Sequence, residues 1–260
     1  MFSKNHIIWL LICCVLLSTG IVFLKKYRPQ LKTVFTISCV GSVMSELTKT
    51  FSVIQLVPSA DGTMMFPYLE LQHLPFHLCS IQILLIFYVR FAKEGKLKEM
   101  ILAFMYPSCI IGATLALLMP SIFSRSVEVG QAFTHPLPYQ YFLYHVMLIL
   151  IGSYIVMSKQ VEIRAKHYGS TLAILGTLGV ISLYLNSMFA VPVYENGILK
   201  SVDYTTNFFF TYDLPIDITI TKLWQWYLYI VVICVLAVVL IGLFYLPFIL
   251  RERKKSEANE

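Results

Sequence analysis

The sequence predicts an all-α, polytopic membrane helix bundle of seven transmembrane helices, with the N-terminus outside and the C-terminus in the cytoplasm. Three observations predict it. Of the 260 residues, 58% are hydrophobic and only 13% charged, too little charge to cover the surface of a soluble domain of this length. The mean hydropathy is +0.74. Seven apolar runs follow one another, each long enough to cross a hydrocarbon layer of about 30 Å as roughly 20 helical residues.

The spans are expected near 6–24, 31–56, 75–92, 99–119, 138–157, 169–190 and 222–249, folded as a single domain over 1–260. The first follows Lys4 as a signal peptide would. It is long, however, lacks an A-x-A cleavage site, and is followed by KKYRPQLK, which anchors that end in the cytoplasm. Pro75 suits the first turn of the third span, where its missing N–H costs nothing. The fifth span enters near Pro138, and Trp224, Trp226 and Tyr227 open the seventh as an interfacial belt.

The basic residues supply the orientation. Lys25, Lys26, Arg28 and Lys32, then Arg90, Lys93, Lys96 and Lys98, then Lys159, Arg164 and Lys166, then Arg251, Arg253, Lys254 and Lys255 all fall on one side. Only Lys4, Arg125, Lys200 and Lys222 fall on the other, with Lys49 inside the second span, so the first side is cytoplasmic. The net charge of +6 is therefore topological, which excludes nucleic acid as a partner. The RERKK tail reads as a stop-transfer anchor that touches anionic lipid at most. The six cysteines lie in or at apolar runs, with neither a disulfide framework nor paired zinc spacing.

Three loops face outward. Segment 57–73 contains the turn signal Asp61-Gly62, and 120–137 is rich in Ser, Gly and Pro. The long outer loop 191–221 carries Glu195, Asp203, Asp213 and Asp217 beside Phe208, Phe209 and Phe210, and a loop of this length serves as a lid, a plug or a re-entrant piece. No internal repeat or inverted pair of broken helices is visible.

Polar side chains inside spans are costly, so their depths matter. His77 and Cys79, in HLPFHLC (73–79), fall within about 8 Å of the outer face and His145 roughly 10 Å below it, at 1.5 Å per residue. Asn186 lies about 6 Å from the end of its span by the same rise, and Glu46 and Lys49 share one face of the second. Each residue also has a structural reading. Five cysteines are small core side chains, and Cys79 differs because a helix N-terminus and a nearby imidazolium favour its thiolate. His145, between Tyr144 and an apolar run, is equally a hydrogen-bonded packing residue, Glu46–Lys49 an ion pair, and Asn186 a bridge between helices. His73 and His77 have HxxxH spacing, but Pro75 breaks the helix register a metal pair needs, so metal binding requires His145 to join them by tertiary folding.

The stretches LPFHLC (74–79), MYPSCIIGATLALLMPS (105–121), YHVMLILIGSYIV (144–156), WQWYLYI (224–230) and YLPF (245–248) resemble the YwaF-type integral membrane proteins. The resemblance runs in order from the second span to the seventh. Its eukaryotic TMEM-type relatives are similar to phospholipid acyltransferases, which implies that Cys79 is a nucleophile and His145 its base. The family's asparagine-containing string is best matched by TTNFFF (205–210), so the resemblance leaves both Asn186 and Asn207 as site residues.

The leading expectation is an acyltransferase or acyl hydrolase of the cell membrane, with membrane lipids as donor and acceptor and no cofactor. Cys79 and His145 would perform the chemistry, and His77 or an asparagine would orient the groups or stabilise the oxyanion. A zinc hydrolase built on His73, His77, His145 and a carboxylate is the second reading. A transporter, receptor-like module or scaffold is the third, with Glu46–Lys49 and the acidic loop on its path.

Overall fold

The computed structural model describes residues 3–120, 129–212 and 220–258, which leaves Arg125, Asp213 and Asp217 outside the described residues. Seven α-helices appear among them: α1 (Lys4–Tyr27), α2 (Leu31–Val53), α3 (Leu78–Phe91), α4 (Lys96–Leu118), α5 (Pro136–Met157), α6 (His167–Phe189) and α7 (Leu223–Glu257). Five of them, α1, α4, α5, α6 and α7, are long and apolar enough to cross a membrane.

Helices α4 and α5 are the most buried and form the centre. α1 and α2 pack on α5, α3 packs on α2 and α4, and α6 and α7 flank α4. Gly152 of α5 permits the central contact, because a Cβ there would lie 2.8 Å from Ile110 Cγ1 and 2.9 Å from the Tyr106 carbonyl oxygen. Outward faces are apolar, with Leu228, Val232, Val235 and Val239 of α7 all more than half exposed. Such a surface suits lipid rather than water.

Helix ends follow local chemistry. Ser3 caps α1 by accepting from His6 N at 3.3 Å, and His135 Nδ1 caps α5 by accepting from Leu137 N at 3.2 Å. Pro107, inside α4, lacks the N–H that Ala103 O would otherwise receive. The Tyr245 hydroxyl of α7 donates to that carbonyl at 2.9 Å, and Thr171 of α6 donates to Tyr245 at 2.9 Å. One proline thus recruits two helices, since a buried carbonyl in lipid must find a partner.

The third helix corrects the expected start at 75. A 3₁₀ turn at Leu71–His73 leads into extended Leu74, Pro75 and Phe76 form a bend, and helix begins only at Leu78 with His77 as N-cap. The residue before a proline is pushed to extended backbone, so Pro75 ends the preceding turn here instead of opening a helix. At 14 residues, α3 is shorter than the expected span. α2 likewise stops at Val53, not 56, because the chain becomes strand.

Two antiparallel hairpins replace expected loop. β1 (Gln55–Pro58) pairs with β2 (Met65–Tyr68) in the register Gln55 to Tyr68 and Pro58 to Met65. At its tip, hydrogen bonds from Ser59 and Thr63 hold the Asp61 carboxyl down to about 2, beside Gly62 at φ 68°. β3 (Val191–Glu195) pairs with β4 (Ile198–Asp203), with a bulge between Val193 and Tyr194. Its turn is Asn196-Gly197, with φ of 52° and 77°, the mirror-type turn that suits strand twist.

Candidate functional site

The site is built around the start of α3. Cys79 occupies the second helical position and faces α4, where a Cβ on Gly112 would stand 3.5 Å from its sulfur. One turn along α3, fully buried Gln82 donates from Nε2 to Ser108 Oγ at 2.9 Å and accepts from Cys109 Sγ at 3.3 Å. Ser108 in turn donates to the Phe104 carbonyl at 2.7 Å. This polar chain joins α3 to α4 just below Cys79. The amides of Leu78, Cys79 and Ser80 precede the first helical bond of α3, which runs from Ile81 N to His77 O.

Helix α5 meets the same place. The Tyr144 hydroxyl donates to the Cys79 carbonyl at 2.9 Å. His145, the next residue, is buried, with its ring 4.4 Å from that of Tyr141 and 5.8 Å from that of Tyr144. Its Nδ1 lies 2.6 Å from the Tyr141 carbonyl oxygen, which only accepts, so Nδ1 carries a proton and, in the neutral ring, Nε2 keeps the lone pair.

The 3₁₀ turn Phe208–Phe210 folds back over this end. Asn186 of α6 accepts from Phe208 N at 2.9 Å and donates to Phe208 O at 3.1 Å and Thr211 Oγ1 at 2.8 Å. Asn207 accepts from Tyr212 N at 3.0 Å. Both asparagines are buried in one knot. From α7, Trp226 donates to the Thr211 carbonyl at 2.9 Å and the Tyr229 hydroxyl to that of Phe210. The Phe208 ring stands edge-on to His77 at 5.0 Å and Phe76 at 5.5 Å. The long loop is therefore seated on Phe76 and His77, just ahead of α3.

The remaining expected residues lie beside this centre. Glu46 and Lys49 form an ion pair at 2.7 Å, partly exposed. His73 is 4.0 Å from Glu70, and burial pushes its imidazole below the ordinary range. A cavity of about 490 Å³ opens between Glu70 and Gln72 on one wall and Tyr204 to Asn207 on the other. Among the described residues, no three His, Cys, Asp or Glu side chains gather where they could hold a metal ion, so the histidine set of the zinc reading is not assembled.

Gln82, Ser108, Tyr144 and Thr211 were not singled out from sequence. Gln82 had a signal: it is the one amide in an apolar helix, three residues from Cys79 and so on the same face. Trp226, read as an interfacial anchor, is an internal tie to the loop.

The arrangement has a relative. The model of the TMEM164 family matches residues 1–245. The chain belongs to the TMEM164 family. No curated protein and no solved structure matches it. The TMEM164-family chain is thus a membrane protein, as its five long apolar helices require.

Proposed function

We propose that this TMEM164-family chain is a seven-span protein of the cell membrane that transfers or hydrolyses acyl groups of lipid esters. The positive-inside count supports an outward N-terminus and puts the Cys79 end in the outer leaflet, at the depth of lipid ester groups. The YwaF-type resemblance and its acyltransferase relatives supply the roles of nucleophile and base.

The observation that carries the reading is the join between the two elements. Tyr144 ties α5 to the Cys79 carbonyl, and the Tyr141 carbonyl holds His145 in the tautomer whose Nε2 can take a proton. In the reaction, the Cys79 thiol gives its proton to His145 and its sulfur attacks the ester carbonyl. The tetrahedral oxyanion is met by the unsatisfied amides at the start of α3, with His77 beside them. Collapse forms a thioester and releases the lyso-lipid, which leaves with the proton from His145. A second hydroxyl, of a lysophospholipid or water, then gives its proton to His145 and attacks the thioester, and His145 returns that proton to the departing Cys79 sulfur to restore the thiol.

The test follows lysophospholipid acylation and lipid profiles in membranes carrying Cys79→Ala, Cys79→Ser or His145→Gln. Loss of turnover in all three is expected. Unchanged turnover in the Cys79 and His145 variants would remove the mechanism.

A further inference from the structure

We infer that the end of the bundle opposite Cys79 holds a phosphate-binding site, filled by the headgroup of an anionic phospholipid or by free phosphate. A cavity of about 310 Å³ lies between the end of α1 and the end of α5, lined by Lys25, Arg28, Ser158 and Lys159 over Tyr154 and Met157. At ~30 Å³ per water it has room for about ten, enough for a phosphate group and its ester oxygens. Three cations line it and no carboxylate does. Among the described residues, none of the three is in an ion pair.

Two of these cations sit at positions where side chains are disfavoured. Arg28 has φ 42° and Lys159 φ 55°, left-handed backbone that glycine adopts freely and other L-residues at a cost. Arg28 closes α1 in the place where helices commonly carry glycine. Strained backbone held at two basic residues around one cavity points to a ligand. Topology alone asks for basic residues on this side, but for neither a cavity nor left-handed positions. Basic pockets between helices on the cytoplasmic side suit acidic headgroups.

The walls are held in place before any ligand arrives. The Tyr154 hydroxyl donates to the Pro29 carbonyl at 2.5 Å, and Gln160 Nε2 donates to the same oxygen at 3.2 Å. Gln160 Oε1 also accepts from Leu31 N at 2.8 Å. The Arg28-Pro29 turn is thereby tied to α5, so binding orders side chains and not backbone. Tyr144 and Met157 are 13 residues apart on α5, about 20 Å, which separates this site from the Cys79 end.

The experiment is thermal unfolding of the full-length protein in neutral detergent with added phosphatidylglycerol, phosphatidylcholine or inorganic phosphate. Phosphatidylglycerol should raise the Tm by several degrees, phosphatidylcholine should not, and the rise should vanish in an Arg28→Gln, Lys159→Gln double variant. A rise with millimolar inorganic phosphate alone, lost in the same variant, assigns the site to free phosphate. Arg28→Gly covers the case in which the double variant fails to fold: it should raise the ligand-free Tm and still lose most of the phosphatidylglycerol response. An equal rise with both lipids, a response retained in the folded variants, or a response abolished only by Lys254→Gln with Lys255→Gln overturns the inference.

Discussion

Asn186 and Phe208, 22 positions apart, are joined through both polar faces of one amide: Phe208 N donates to Asn186 Oδ1 at 2.9 Å, and Asn186 Nδ2 donates to Phe208 O at 3.1 Å. This reciprocal pair fixes where the long loop meets α6. Asn186→Leu keeps a similar volume but leaves the buried Phe208 N without a partner and Phe208 O with only the longer bond from Thr211 Oγ1 at 3.4 Å, at about 1–3 kcal/mol for the orphaned amide. The variant should lose roughly 1–3 kcal/mol of stability and expose 191–212 to protease. A Tm and cleavage pattern like those of the parent protein would show that the loop is held by other contacts.

The bond from Tyr144 to Cys79 O gives a narrower test. Tyr144→Phe removes one hydroxyl and keeps the ring, so stability should drop by only about 1 kcal/mol. The proposed acyl transfer should fall more, by about tenfold, because the start of α3 is no longer held against the α5 turn that carries His145. Equal turnover in Tyr144→Phe would separate that bond from the chemistry.

Glycine replacements should split by contact. Gly152→Ala forces a Cβ against Ile110 Cγ1 and the Tyr106 carbonyl and should cost about 1–3 kcal/mol in detergent unfolding. Gly176→Ala in α6 meets nothing within 4 Å and should stabilise by about 0.5–1 kcal/mol through helix propensity. Similar effects from both would mean that α4 and α5 yield at their contact.

His73 predicts a pH response in the segment before α3. Burial favours its neutral form and Lys49 adds to that, while Glu70 opposes it. The unfolded chain therefore binds the proton more readily, and stability rises with pH. It should weaken as pH falls below the ordinary value of 6.5 and level off below the depressed folded value. Hydrogen exchange over 70–77 between pH 5 and 7.5 should quicken on acidification, and His73→Gln should flatten the slope. An unchanged slope in that variant assigns the response to another group.

Much of the helix order was legible because seven apolar runs are separated by charge clusters and prolines, and nothing short of a long helix satisfies such a backbone in lipid. The start of α3 was not, because Pro75 suits a first helical turn and a pre-helical bend equally, and only the seat of Phe208 on His77 shows which applies. The β3–β4 turn had a readable signal in Asn196-Gly197, the dipeptide that suits left-handed backbone at both turn positions. The choice between Asn186 and Asn207 had none. They belong to one knot because Asn186 binds main-chain groups of the loop, and main-chain groups leave no mark in residue identity.

The shortness of α3 has a consequence for the surrounding lipid. Fourteen residues rise about 21 Å, against the ~30 Å of hydrocarbon that a typical bilayer presents. With α3 as the proposed third span and Arg90 of its last turn at the cytoplasmic face, the shortfall would fall at the Cys79 end. Hydrophobic mismatch of this size is relieved by local thinning, at a fraction of a kcal/mol per Å. In the proposed reaction, thinning there would draw water and glycerol backbones down toward the sulfur, so that the deformed membrane itself would deliver ester carbonyls to the depth of the thiol.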